Sequence, residues 1–213
     1  MWHLRHMSRI KPKVVVVLGP WSSGTSAVAG IVAALGASAH PPFVGVADPR
    51  TPVSFESKAL REIIVDVFDH AALARGPLPE GASARLAGWT GGAALSVAKM
   101  PMLAFFLEEV CAAWEAMFII VHRDPAEIEA TRLRRDWPEE YGAKGAGVIY
   151  PLIETDLPAD APRLDVDYAA LLADPAGQGT RIAGFCGLTP DTNAVRWVLS
   201  RGREGQAPAS FSG

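Results

Sequence analysis

The chain has 213 residues, 49% of them apolar, and a formal charge of −3 at pH 7. That length and composition suit one α/β domain with a buried core, and the acidic balance argues against a nucleic-acid partner, though local basic clusters remain available to a small anion. No apolar run reaches the ~18 residues of a membrane span, and Cys111 and Cys186 have no His or Cys partner at metal-ligand spacing, so both read as reduced core thiols of a cytoplasmic protein without a metal site.

Residues 1–12 are basic, lead into no signal-peptide core, and read as an N-terminal extension or tag. The domain then spans 13–202, and the Gly-, Pro- and Ser-rich stretch 203–213 reads as a flexible tail. Residues 14–18 (VVVVL) form a β-branched run of the kind buried on both faces of a parallel sheet. A loop follows at 19–24, and the small apolar stretch 25–35 predicts a helix ending at Gly36. Pro41, Pro42, Pro49 and Pro52 make 39–53 an irregular loop. The pattern predicts a helix over 54–73, a loop over 76–92 and an amphipathic helix over 102–116. Residues 117–121 (MFIIV) are a second buried strand, expected to lie parallel and adjacent to the first. Asp124 and Pro125 are cap and first-turn signals for a helix reaching about Arg135. Some helix is expected within 137–162, a short strand at 163–166, and helices at 168–172 and 178–186. Alternating strands and helices imply a mainly parallel sheet covered on both faces.

Gly19-Pro-Trp-Ser-Ser-Gly24-Thr25-Ser26 has the G-x4-G-x-[ST] spacing of a phosphate-binding loop, set between a buried strand and a helix. There the N–H groups of the loop and of the helix start form a concave anion site, and glycine lets the backbone approach a phosphate closely. Thr25 stands where a nucleoside triphosphatase carries lysine, which weakens a kinase reading. Arg123 sits at the C-terminal end of the second strand, the edge where open α/β sheets bind ligands. Thr131, eight residues on, adds a hydroxyl that with the guanidinium makes a monophosphate clamp.

Together these segments resemble the bacterial type of P-loop sulfotransferase that uses 3′-phosphoadenosine-5′-phosphosulfate. Ser22-Ser-Gly-Thr-Ser26 is similar to that family's [RK]-S-G-T-[ST] loop, which holds the 5′-phosphosulfate. Arg123-Asp-Pro125 with Thr131 resembles its 3′-phosphate site. Residues 48–56, ending in Phe55-Glu56, look like a lengthened Asn-Pro-x-Gly-aromatic-aromatic-Glu segment, and Lys99-Met-Pro101 keeps the Lys and Pro of Lys-x-Pro-Arg. Residues 167–175 and 185–188 are similar to the family's later Leu-Leu-Ala-Asp-Pro and Phe-Leu-Gly-Leu segments.

The resemblance spans about residues 13–188 and implies a three-layer P-loop α/β fold, donor contacts from Gly19, Ser22, Ser23, Gly24, Thr25, Ser26, Arg123 and Thr131, and catalysis by Glu56 as base with Lys99 as cation. It also implies a small-molecule or carbohydrate hydroxyl acceptor and no metal. His40 and His122 are the other candidate bases. The chain departs from the family at Ser22, where the basic residue is missing, and at Met102, where the arginine is missing. A non-catalytic nucleotide-binding protein and a P-loop kinase are the alternatives. Neither acceptor nor oligomeric state is written in the sequence.

Overall fold

The computed structural model describes residues 11–45, 48 and 50–204. Its central sheet has the order β4-β1-β5-β6, built from β1 (Lys13–Leu18), β4 (Ser96–Lys99), β5 (Glu115–His122) and β6 (Arg163–Asp167). All three pairings are parallel. The expected neighbours β1 and β5 lie side by side, with Val16 opposite Phe118.

Side chains alternate across a strand, and β1 uses both faces. Val14, Val16 and Leu18 enter one core with residues of α2 (Lys58–Ile64), α3 (Ala82–Gly88), α4 (Leu107–Ala113) and α6 (Ala143–Asp156). Val15 and Val17 enter the other with α1 (Thr25–Ala34), α7 (Tyr168–Ala173), α8 (Pro175–Cys186) and α9 (Thr192–Glu204). Helix α5 (Pro125–Arg135) follows β5, its N-cap Asp124 accepting a hydrogen bond from the Ala126 N–H. The result is the three-layer α/β sandwich, with every strand's carboxyl end on one edge. Among the described residues no helix is long and apolar enough to cross a membrane.

Several expected boundaries move. The helix expected at 54–73 is confined to α2, followed by a 3-10 turn and the small hairpin β2 (Phe68–Asp69) with β3 (Ala74–Arg75). The helix tightens to 3-10 geometry at Val65–Val67 and the backbone becomes extended at Phe68, which enters the hairpin. The loop expected at 76–92 contains α3. The helix expected at 102–116 begins as the 3-10 segment Pro101–Phe106 and ends at Ala113, where buried Trp114 anchors its indole N–H on the Leu86 carbonyl. Strand β4 and helix α9 have no counterpart in the expected elements. Helix α9 runs to Glu204, so the proposed tail begins within it, and residues 205–213, like 1–10, lie outside the described residues.

Candidate functional site

At the carboxyl edge of the sheet lies a cavity of about 530 Å³, a size suited to a small ligand. The chain leaves β1 at Leu18 and wraps through residues 19–24 before α1 begins. The turn needs left-handed backbone at Ser22 (φ 66°) and Gly24 (φ 100°). Gly24 is required twice over, because a Cβ there would fall 2.3 Å from the Tyr168 ring. Ser22, Gly24, Thr25 and Ser26 line the cavity. Gly19 and Ser23 do not. A side chain at Gly19 would strike the Ser23 hydroxyl and the Val121 carbonyl, and Ser23 Oγ is buried without a hydrogen-bond partner among the described residues. The Ser26 hydroxyl donates to the Ser54 carbonyl (3.1 Å), tying the loop to the segment that carries Glu56.

Glu56 and Lys99, far apart in sequence, meet in this cavity. Lys99 ends β4 opposite Val17 of β1, and its Nζ lies 2.5 Å from Glu56 Oε1. Both side chains are largely shielded, 6% and 16% exposed, so the ion pair acts in a low dielectric. Glu56 is presented by a tightly held turn. The Ser54 hydroxyl accepts from the Glu56 N–H and donates to the Val44 carbonyl, while Phe55 sits at φ 57°, a strained value for a bulky residue.

From β5 and α5, Arg123 Nη1 donates to the Ser22 carbonyl (2.8 Å) and to Thr131 Oγ1 (3.2 Å). Its Nε donates to Glu127 (2.9 Å), and its guanidinium packs 5.2 Å from the centre of the Tyr168 ring. The Arg123 N–H is fixed by the Tyr150 hydroxyl, which donates to the Val121 carbonyl. Burial pushes the Tyr150 phenol up to about 12, so it stays a donor. Arg123 and Thr131 thus face the loop across one cavity.

The other candidate bases are elsewhere. Neither His40 nor His122 lines the cavity. His40 Nε2 is 2.8 Å from Ser96 Oγ beside Trp89, and His122 Nε2 is 2.5 Å from Asp165 with its ring stacked on Tyr150.

Sequence reasoning missed the cavity's second cationic group. Arg50, Arg134 and Arg135 line it beside Lys99 and Arg123, against one lining acid, Glu56. Behind them buried Asp48 accepts from Arg134 (3.2 and 3.1 Å), Arg135 Nε (2.6 Å) and the Arg50 N–H (3.0 Å). Burial alone would raise the Asp48 carboxyl, but the bonds from Arg134, Arg50 and Arg135 outweigh it and hold it at about 2. The signal was present in the sequence, since Arg134 and Arg135 stand three and four residues after Thr131, hence on the same helix face. Trp21, Trp137 and Tyr168 were also missed, as were Leu172, Val198 and Leu199, which supply the apolar wall.

By sequence, no family model and no curated protein matches the chain. By structure, the sulfotransferase domain of the Synechococcus PCC 7002 olefin synthase matches with a TM-score of 0.56 at 16% identity, covering 100% of this chain and 83% of that one. The sulfotransferase STF1 of Mycobacterium tuberculosis H37Rv covers 90% of this chain and 71% of that one at a TM-score of 0.45 and 16% identity. A sugar kinase from Janibacter sp. HTCC2649 covers 85% and 98% at 0.46 and 15%. The first of these likenesses gives the fold: this chain has the architecture of a sulfotransferase domain.

Proposed function

We propose that the chain is a sulfotransferase that moves a sulfuryl group from 3′-phosphoadenosine-5′-phosphosulfate to the hydroxyl of a small-molecule or carbohydrate acceptor. The observation that carries this reading is the shielded Glu56–Lys99 pair, set in the same cationic cavity as the phosphate-binding loop and the Arg123–Thr131 clamp. A carboxylate and an ammonium held together beside an anion site are what hydroxyl activation and leaving-group stabilisation require.

The donor supplies an electrophilic sulfur and a phosphate leaving group. The loop and the N-terminus of α1 hold its 5′ end through backbone N–H groups. Arg123 and Thr131 take its 3′-phosphate, their mutual hydrogen bond giving way to bonds with the ligand. Glu56 removes the acceptor's hydroxyl proton as that oxygen bonds sulfur. The sulfur–oxygen bond to phosphate breaks, and the electron pair stays on the phosphate oxygen, where Lys99 offsets the growing charge. Products are the sulfated acceptor and adenosine 3′,5′-bisphosphate.

Glu56→Gln tests the assignment. It keeps the shape of the side chain and removes its basicity, so turnover should fall by about 10²–10⁴ while bisphosphate affinity, read by calorimetry, stays near wild type. Unchanged turnover would sink Glu56 as the base. A second reading, nucleotide binding without turnover, is favoured by the uncharged Ser22 in the loop. It requires that wild type bind the bisphosphate yet transfer no sulfate to a broad panel of alcohols, phenols and sugars.

A further inference from the structure

The phosphate-binding loop carries no charge of its own: Trp21, Ser22, Ser23, Thr25 and Ser26 are all neutral. A sulfated phosphate seated there would meet only backbone dipoles from the loop itself. Arg123 reaches the loop at the Ser22 carbonyl (2.8 Å), and a second cation reaches it from the far end of α5. Arg135 closes α5, lines the same cavity, and brings Nη1 to 3.4 Å from Ser22 Oγ. Its side chain is 11% exposed.

The remaining nitrogens are occupied by stronger partners. Nε donates to Asp48 Oδ2 at 2.6 Å and Nη2 to Thr51 Oγ1 at 2.6 Å, while the guanidinium rests 4.5 Å from the centre of the Trp137 ring. The long contact to Ser22 is therefore the replaceable one, and it faces the loop. Charge balance points the same way. Asp48 carries one negative charge and is shared by Arg134 and Arg135, so the three side chains keep one net positive charge. Arg134 shares the carboxylate through two longer bonds, so Asp48 does not cancel the whole charge that the two guanidiniums bring to the cavity. An arginine locked by packing and by Asp48 loses little freedom when it binds an anion.

We infer that Arg135 supplies the cation for the phosphosulfate end of the nucleotide, with Asp48 as its positioning residue. This rests on the donor reading above and assigns the charge that the loop lacks. The division of the ligand is then explicit: Arg123 and Thr131 recognise the 3′-phosphate, and Arg135 with the loop recognises the 5′ end.

Two nucleotides separate the ends. Adenosine 5′-phosphosulfate has no 3′-phosphate, whereas adenosine 3′,5′-bisphosphate has both anions. Arg135→Gln should weaken both by a similar factor, about tenfold or more, in calorimetric titrations. Adding Ser22→Arg to Arg135→Gln should restore most of the lost affinity, because it returns a cation to the same spot. In the wild-type background Ser22→Arg should add much less. Should Arg135→Gln fail to fold through loss of the Asp48 bond, Arg135→Lys keeps the counter-charge. An ammonium carries its three donors on one nitrogen and cannot span the positions reached by Nε, Nη1 and Nη2, so affinity for adenosine 5′-phosphosulfate should still fall about threefold or more. Wild-type affinity for both nucleotides in Arg135→Gln, or in Arg135→Lys where only that variant folds, overturns the inference and leaves the sulfotransferase reading standing. A wild-type chain that binds neither nucleotide overturns both.

Discussion

The two strand–turn–helix units that meet at the cavity are neighbours in the sheet but are built on opposite principles. In β1–loop–α1 the strand and much of the helix are buried, and α1 encloses Val28, Ala29, Gly30, Ile31 and Val32. In β5–turn–α5 the strand is buried from Phe118 to Val121, yet α5 buries only Ile128. Charge is costly in the interior, so the first unit contributes shape: left-handed turns and neutral polar groups that line the cavity. The second lies near solvent and can carry Arg123, Arg134 and Arg135. Their C-terminal members also sit favourably at the negative end of the helix dipole. Under the proposed nucleotide reading, the loop need not bring its own cation, because the helix after the neighbouring strand reaches over it.

The largest effect should come from breaking the shape. Gly24→Ala puts a Cβ into the Tyr168 ring at a φ of 100°. It should lower stability by about 2–4 kcal/mol and abolish detectable binding of either nucleotide. Thermal unfolding and titration check this, and a stable variant with normal binding would show that the loop tolerates a different path.

Breaking the charge on the second unit should be more selective. Arg123→Ala should weaken the bisphosphate by roughly 1.5–3 kcal/mol and adenosine 5′-phosphosulfate far less. That selective pattern differs from the even loss expected at Arg135. Equal losses at Arg123 for the two nucleotides would remove it from the 3′ end. Because Arg123 also holds the Ser22 carbonyl, Arg123→Lys is the control for a displaced loop.

The same contrast explains what the sequence discloses. Four valines in β1, the glycine spacing of the loop, and Asp124-Pro125 opening α5 are local signals, and each predicts the element found. Strand β4 carries no such local signal: among Ser96, Val97, Ala98 and Lys99 only Val97 is β-branched and Ser96 and Lys99 are polar, so no strand pattern is readable. They are buried only because the fold covers them, with the Ser96 hydroxyl satisfied by His40 and the Lys99 ammonium by Glu56. Helix α6 was obscured by Gly145, Gly147 and Pro151, poor helix residues. Gly145 is needed because a Cβ there would fall 2.0 Å from the Glu140 carbonyl oxygen. In the site, Glu56, Lys99 and Arg123 were readable by motif, whereas the Asp48–Arg134–Arg135 cluster joins a proline-rich loop to a helix end some 86 residues away, a pairing no spacing rule encodes.

That cluster gives a pH test. Asp48 titrates at about 2 when folded, below its ordinary value near 4. A depressed carboxyl stabilises the fold above the unfolded pKa, and this contribution disappears as pH falls from about 4 to about 2. The loss should approach about 2 kcal/mol and should be much reduced in Asp48→Asn. Urea titrations at pH 5 and pH 2.5 measure it. An equally steep decline in Asp48→Asn would assign the acid sensitivity to other carboxylates.

The smallest expected effect lies where the two units touch a third. Tyr168 opens α7 immediately after Asp167, whose carboxylate accepts from the Ala170 N–H and caps that helix. Its ring fills the space beside Gly24 that a side chain there would need, and it carries the Arg123 guanidinium 5.2 Å from its centre. It therefore supports both the shape of the first unit and the charge of the second. Tyr168→Leu keeps an apolar group against Gly24 but removes the ring's attraction for the cation, worth about 0.5–1 kcal/mol at a partly exposed site. If the ring acts mainly through Arg123, bisphosphate affinity should fall about two- to fivefold while adenosine 5′-phosphosulfate affinity stays near wild type. If it acts mainly by bracing Gly24, both nucleotides should weaken alike, as expected of Gly24→Ala on a smaller scale. The ratio of the two losses measures how far the first unit depends on the second, because the Tyr168 ring lies against both Gly24 and Arg123.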